Sequence, residues 1–273
     1  MPLPSLRQPG PIAPERSVSA AGRAVRLSYD LEPGRTLNGA LTAPLAKYRA
    51  GALSFTGSAL APFAYVTSAP APDPSHAAWW SDTRSPRDGA RIDVARATYG
   101  TRDGQPFVHI HARWTERDGL RGGHILPLDT TVAAGGTIHA LCVENASIAV
   151  VQDDETNFTL FEPAPRPSAP GAGAVAARIR PNEDIHAALA RLCAQHGIAR
   201  VRGIGSLISP RFADGRAIPD YATEFLFTDA LAAPDRATLD VIVADMRGIP
   251  HEGRLAPGEN AVCITVEVSL EAI

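Results

Sequence analysis

Lysine is all but missing from this chain: Lys47 is the only one, and arginine supplies the rest of the 26 basic side chains. Against 29 acidic residues this leaves a formal charge of −3. With no lysine cluster and no basic surplus, a DNA-binding regulator, which needs a basic stripe, is disfavoured. The bias toward arginine fits a GC-rich genome and also suits bidentate recognition of carboxylate or phosphate. Cysteine is scarce too. Cys142, Cys193 and Cys263 lie far apart with no CxxC spacing, which argues against a disulfide framework and predicts reduced, buried thiols in a cytosolic protein. The opening stretch, with prolines at 2, 4, 9, 11 and 14, holds no continuous apolar run. It reads as neither a signal peptide nor a membrane anchor, and no membrane partner is expected. There is no GxSxG, no Walker loop, no dinucleotide GxGxxG after a strand and no HExxH.

What is present is histidine in a pattern. Val108-His109-Ile110-His111-Ala112 lies between Pro106 and a polar turn, Thr115-Glu116-Arg117-Asp118-Gly119, and Gly122-Gly123-His124 follows. This predicts a strand, a hairpin turn and a returning strand. Side chains at i and i+2 of a strand share a face, so His109 and His111 stand side by side and the turn brings His124 near them. Three imidazoles converging on one point form a metal site with an open position. The alternative is three unrelated histidines, one or two of them hydrogen-bonded in a core. Under the metal reading, imidazole nitrogens lie about 2.0–2.3 Å from one divalent ion. Zinc is the default, with nickel, iron and manganese left open.

The chain also repeats itself. At 45% hydrophobic and 20% charged residues, 273 residues suit two globular domains. Leu37, Ala40, Leu41, Pro44, Leu45 and Tyr48 follow Pro33; Ile185, Ala188, Leu189, Leu192, Cys193 and His196 follow Pro181 at a constant offset of 148. That spacing is one face of an amphipathic helix. The same offset carries Gly57-Ser58 onto Gly205-Ser206, each ending a short strand, and Leu141-Cys142-Val143-Glu144 matches Ile264-Thr265-Val266-Glu267 further on. The expected fold class is α+β: two tandem domains, each a mainly antiparallel sheet with a packed amphipathic helix. The expected boundaries are a Pro-rich arm over 1–22, flexible or surface-clinging, a first domain over 23–161, a Pro-rich linker over 162–173 and a second domain over 174–273. Aligning Ala112 with Ala244 places Val241 and Val243 where His109 and His111 stand, and Glu252-Gly253-Arg254 where Gly122-Gly123-His124 stands. The second copy lacks every candidate ligand, which suggests an active half and a supporting half.

These motifs resemble the plants-and-prokaryotes-conserved (PPC) domain. The matching pieces run from Pro106 to Ala112, then Asp118-Gly119, Gly122-Gly123-His124 and Val143-Glu144. In the second half they are Arg180 to Asp184, Gly203-Ile204-Gly205-Ser206-Leu207, and Glu252-Gly253 through Val266-Glu267. The resemblance implies a small α+β fold that packs as trimers, hence three chains, or six, for a tandem. In plants the domain follows an AT-hook and accompanies DNA binding; no AT-hook occurs here. Prokaryotic members carry a DNA-binding label by association, which is a fold-level warrant.

Four further residues are singled out. Arg113 continues the His109, His111 alternation and suits a clamp for a substrate anion, or lies solvated at the strand end. Glu144 sits in an apolar strand and needs a partner: a metal, an arginine or a histidine's second nitrogen. Because Glu267 matches it in the copy without histidines, a shared structural role is expected for both. Trp79 and Trp80 are adjacent in a loop and cannot both face one core, so at least one covers a pocket or an interface, with interface packing preferred. The leading functional expectation is a metal-dependent protein for a small anionic metabolite, of lyase, hydratase or hydrolase type. A DNA-binding regulator and a structural metal in an oligomeric scaffold are its rivals.

Overall fold

A computed structural model describes residues 3–166 and 173–273. The longer elements run in the order β1 Ser17–Asp30, α1 Leu37–Thr42, β2 Gly51–Phe55, β3 Ala90–Arg102, β4 Gln105–Glu116, β5 Gly119–Ile125, β6 Thr137–Glu144, β7 Ala146–Gln152 and β8 Thr159–Pro165. The second copy follows with β9 Gly173–Ile179, α2 Ile185–His196, β10 Ala199–Ile208, β11 Thr223–Ala233, β12 Arg236–Ala244, β13 Pro250–Arg254 and β14 Ala261–Ala272. The sheet is mainly antiparallel, as expected. Strand β1 joins the copies: its first half pairs with β9 and its second half with β6. No helix among the described residues is long and apolar enough to cross a membrane.

The repeated helix differs between copies for a reason visible in one residue. Asp184 caps α2, its side chain accepting from the Ala187 amide at 2.9 Å, and the helix runs twelve residues to a glycine stop at Gly197. In the first copy Thr36 caps the start, but Pro44 stands where α2 has Leu192. Proline cannot donate the helical hydrogen bond and its ring crowds the preceding turn. The α-helix therefore ends at Thr42 and passes into a 3₁₀ turn over Ala43–Leu45. Leu37, Leu41 and Leu45 are still fully buried against the sheet, beside Val108, Ile110 and Trp114. α2 packs likewise over Leu239, Val241 and Val243.

Strand register corrects four alignments made from sequence. Offset 148 makes Asp30 the counterpart of Arg178; Asp30 pairs with Thr137 and Arg178 with Glu267. Thr137, not Glu144, is thus the counterpart of Glu267. Arg102–Gln105 and Ala233–Arg236 close equivalent two-residue hairpins, which places His109 and His111 opposite Asp240 and Ile242. Val241 and Val243 point into their own core; the histidines point away from theirs. His124 pairs with His111 and Glu252 with Ile242, so Glu252 rather than Arg254 replaces His124. Gly57 ends its strand at a turn, whereas Gly205-Ser206 lies inside β10. A one-residue slip reverses every side chain of a strand, and a hydrophobic pattern read without partners does not detect it.

The arm is shorter than expected, since β1 begins at Ser17. Residues before it cling to the surface: the Leu6 amide donates to Asn182, the Gln8 amide group donates to the Cys263 carbonyl, and Arg16 pairs with Glu155 at 2.7 Å. Of the expected linker, residues 162–165 belong to β8, and 167–172 lie outside the described residues.

Candidate metal centre

The histidines lie where the two copies meet, with the outer face of β3, β4 and β5 against that of β10, β11 and β12. Val94 of the first copy packs on Ile204, Leu226 and Ile242 of the second. Small residues permit the approach. A Cβ on Gly122 would come within 3.2 Å of the Ala244 methyl, and the Gly122 amide donates to the Gly248 carbonyl at 2.9 Å. Gly123 has φ +154, and a side chain there would meet the Val66 carbonyl at 2.7 Å. On the other side, a Cβ on Gly203 would fall 2.1 Å from the Glu267 carbonyl oxygen, so glycine lets β10 and β14 close up. Glu267 then stands at the joint.

The hairpin forms as the sequence predicted. His111 and His124 are cross-strand partners, and His109 is two residues along the same face. Ring centroids lie 4.7–5.5 Å apart, and one ligand atom from each residue falls within 4.8 Å of the others. The second copy fixes their tautomers. His111 Nδ1 is 2.9 Å from the Phe225 carbonyl, which can only accept, so Nδ1 carries the proton. His109 Nδ1 lies 3.0 and 3.1 Å from the Glu267 carboxylate oxygens and donates in the same sense. In its Nδ1–H tautomer each ring turns an Nε2 lone pair inward, and these two atoms are 3.1 Å apart. Two lone pairs cannot bond each other. They need a cation or a proton between them, and tetrahedral ligation at about 2.0–2.1 Å separates ligand nitrogens by about 3.3 Å.

Glu224 completes the polar set. It is 3% exposed, and neither carboxylate oxygen meets the geometric test for a hydrogen bond. Burial pushes its carboxyl well above the usual range, with the His124 backbone amide pulling the other way. Burial, reinforced by His109, holds the His111 and His124 imidazoles well below theirs. A buried carboxyl with no cation paired to it, beside three imidazoles, is the surrounding a divalent ion would neutralise, so the residues fit a metal.

A cleft of about 510 Å³, counted out to its open mouth, adjoins the cluster and includes His109, His111 and Glu224 in its wall. Trp79 and Trp80 both line it, paired as a short ribbon with Ser68–Ala69. Trp80 meets the His124 ring edge-on at 4.9 Å. The tryptophans are thus pocket walls, where interface packing was preferred from sequence. Arg113 is not on the lining. Its guanidinium is bonded to Glu252 at 2.7 Å and lies 3.8 Å from Asp93. Glu144 forms an exposed pair with Arg23, far in role from Glu267. Sequence reasoning missed Glu224 and Phe225 altogether, and misassigned Glu267. A lone glutamate within the apolar run Phe225-Leu226-Phe227 was the available signal.

No protein-family model matches the sequence, and no curated protein matches it. Among solved structures, a plant- and prokaryote-conserved (PPC) protein from Pyrococcus horikoshii is 15% identical with a TM-score of 0.41, over 53% of this chain and 94% of its own. A metal-containing protein from Archaeoglobus fulgidus is 17% identical with a TM-score of 0.40, over 52% of this chain and 94% of its own. A candidate DNA-binding protein from Ralstonia eutropha JMP134 is 18% identical with a TM-score of 0.37, over 50% and 89%. The chain is similar in fold to PPC proteins over about half its length, in keeping with the motifs.

Proposed function

We propose that this is a metal-dependent protein of PPC type in which His109, His111 and His124 hold one divalent ion, zinc by default, for work on a small ligand in the adjoining cleft. The observation that carries it is the facing Nε2 pair of His109 and His111, each locked into the Nδ1–H tautomer by the second copy. When bound, a divalent ion there supplies Lewis acidity to a ligand oxygen, which suits hydration, elimination or hydrolysis. Glu267 and the Phe225 carbonyl orient the imidazoles, as outer partners of metal ligands do. Glu224 is the carboxyl on the cleft wall and the group positioned to give or take a proton. The second copy is thus the supporting half in a direct sense: it contributes the groups that aim the histidines.

Elemental analysis of purified protein tests the reading, with one equivalent of metal per chain expected. Glu267→Gln should weaken zinc binding about tenfold in a competitive chelator titration, because the carboxylate that holds His109 Nδ1–H in place is replaced by a neutral amide. Unchanged affinity would remove Glu267 from the centre.

The metabolite reading also implies weak DNA affinity. Arginines such as Arg113, Arg178, Arg202 and Arg254 are committed to carboxylates, and the chain as a whole carries a formal charge of −3, so it has no surplus of cations to displace counterions. Binding weaker than about 10⁻⁵ M at physiological salt is expected in an anisotropy titration. Tight binding with a steep salt slope would promote the regulator. Assembly in threes belongs to the same proposal. Light scattering should give a mass near three or six times 28.8 kDa, and a clean monomer would sink the trimer. A cytosolic setting fits three buried free thiols.

A further inference from the structure

Away from the histidines and Glu224, no charged side chain among the described residues lines the cleft. Its aromatic wall is continuous: Trp79 stacks on Phe158 at 5.4 Å and 26°, and Phe158 meets Trp80 edge-on at 6.3 Å. Ala78, Leu160, Ala222 and Ile264 add apolar lining, and Ser68, Ser206 and Thr265 add hydroxyls but no charge. Among the described residues no arginine or lysine lines it. A phosphate or a second carboxylate placed beyond the histidines would lose its water and find no cation there. A flat apolar body gains instead, since indole faces offer large contact area at little conformational cost.

We infer that the cleft selects a monocarboxylic acid with an aromatic or similarly flat apolar body. The carboxylate lies at the histidine end and the body lies against Trp79, Trp80 and Phe158. This rests on the metal reading for its polar end, and narrows a generic small anion to one charge and one shape.

Calorimetry on protein first shown by elemental analysis to hold one zinc per chain tests it with three probes. Phenylacetate should bind one to one. Acetate, which has the head alone, and 4-carboxyphenylacetate, which adds a second charge at the far end, should each bind at least tenfold more weakly. Trp80→Ala should lower phenylacetate affinity roughly tenfold with zinc content unchanged, and Phe158→Ala should act in the same direction. The inference is overturned if zinc-loaded protein ignores phenylacetate, if the dicarboxylate binds as tightly, or if both variants bind as the parent does. Failure to load zinc overturns the metal reading and this inference together, and elemental analysis registers that outcome before any probe is added.

Discussion

Replacing His111 with alanine is expected to abolish stoichiometric metal and leave both domains folded. His111 is the most buried of the three ligands, and its Nε2 faces that of His109. Two remaining imidazoles cannot hold a divalent ion with the affinity of three, because a closed set of protein ligands is what offsets the ion's lost hydration. Folding survives because the cores lie elsewhere. The first core packs under α1 and the second under α2, each on the face of its sheet away from the joint. The cost to the metal-free protein is an unpaired Phe225 carbonyl and a small cavity, about 1–3 kcal/mol. Elemental analysis and circular dichroism check the two halves of the prediction separately. A variant that unfolds, or one that retains a full equivalent of metal, contradicts it. In the parent, zinc at a thousandfold excess over its dissociation constant should add about 4 kcal/mol to stability, which a chelator removes.

Acidification should destabilise the metal-free protein through the buried histidines at the joint. Burial depresses His111 and His124, so the stability they contribute is complete above the ordinary histidine value of 6.5 and drains as pH falls toward their folded values. Glu224 is shifted upward, so its contribution is complete below the ordinary value of 4.5 and is lost as pH rises through its folded value. Between pH 6.5 and 4.5 two histidines act in one direction and one glutamate in the other. Histidine prevails. Stability should therefore fall as acid is added across this window. Urea titrations of parent and His111→Ala protein isolate the cluster from other carboxylates, since the variant lacks one histidine and its pH dependence should be flatter. Parallel slopes would show that the cluster does not titrate as its burial requires.

Much of the centre was legible before any coordinates. Alternation around His109 and His111, a polar turn and a glycine pair before His124 are local signals, and hairpin geometry follows from local signals. The tandem was equally visible, because an amphipathic helix preserves its spacing when copied. Register was not. Val241 for Asp240 and Glu144 for Thr137 are errors of pairing, and pairing is decided by which strands lie side by side rather than by either strand alone.

The sequence by itself determined the two α+β copies, the hairpin and the three histidines that share one face. Only the tertiary structure decided what surrounds them. Glu267, Glu224 and the Phe225 carbonyl reach the cluster from more than 100 residues away in the chain, and a backbone carbonyl has no signature in a sequence. Arg113 and Glu144 looked available because exposed partners such as Glu252 and Arg23 become visible only when distant strands meet. The face that carries the histidines becomes a centre because the second copy closes over it. Close packing of Gly122 against Ala244 and Gly248 is what allows that closure.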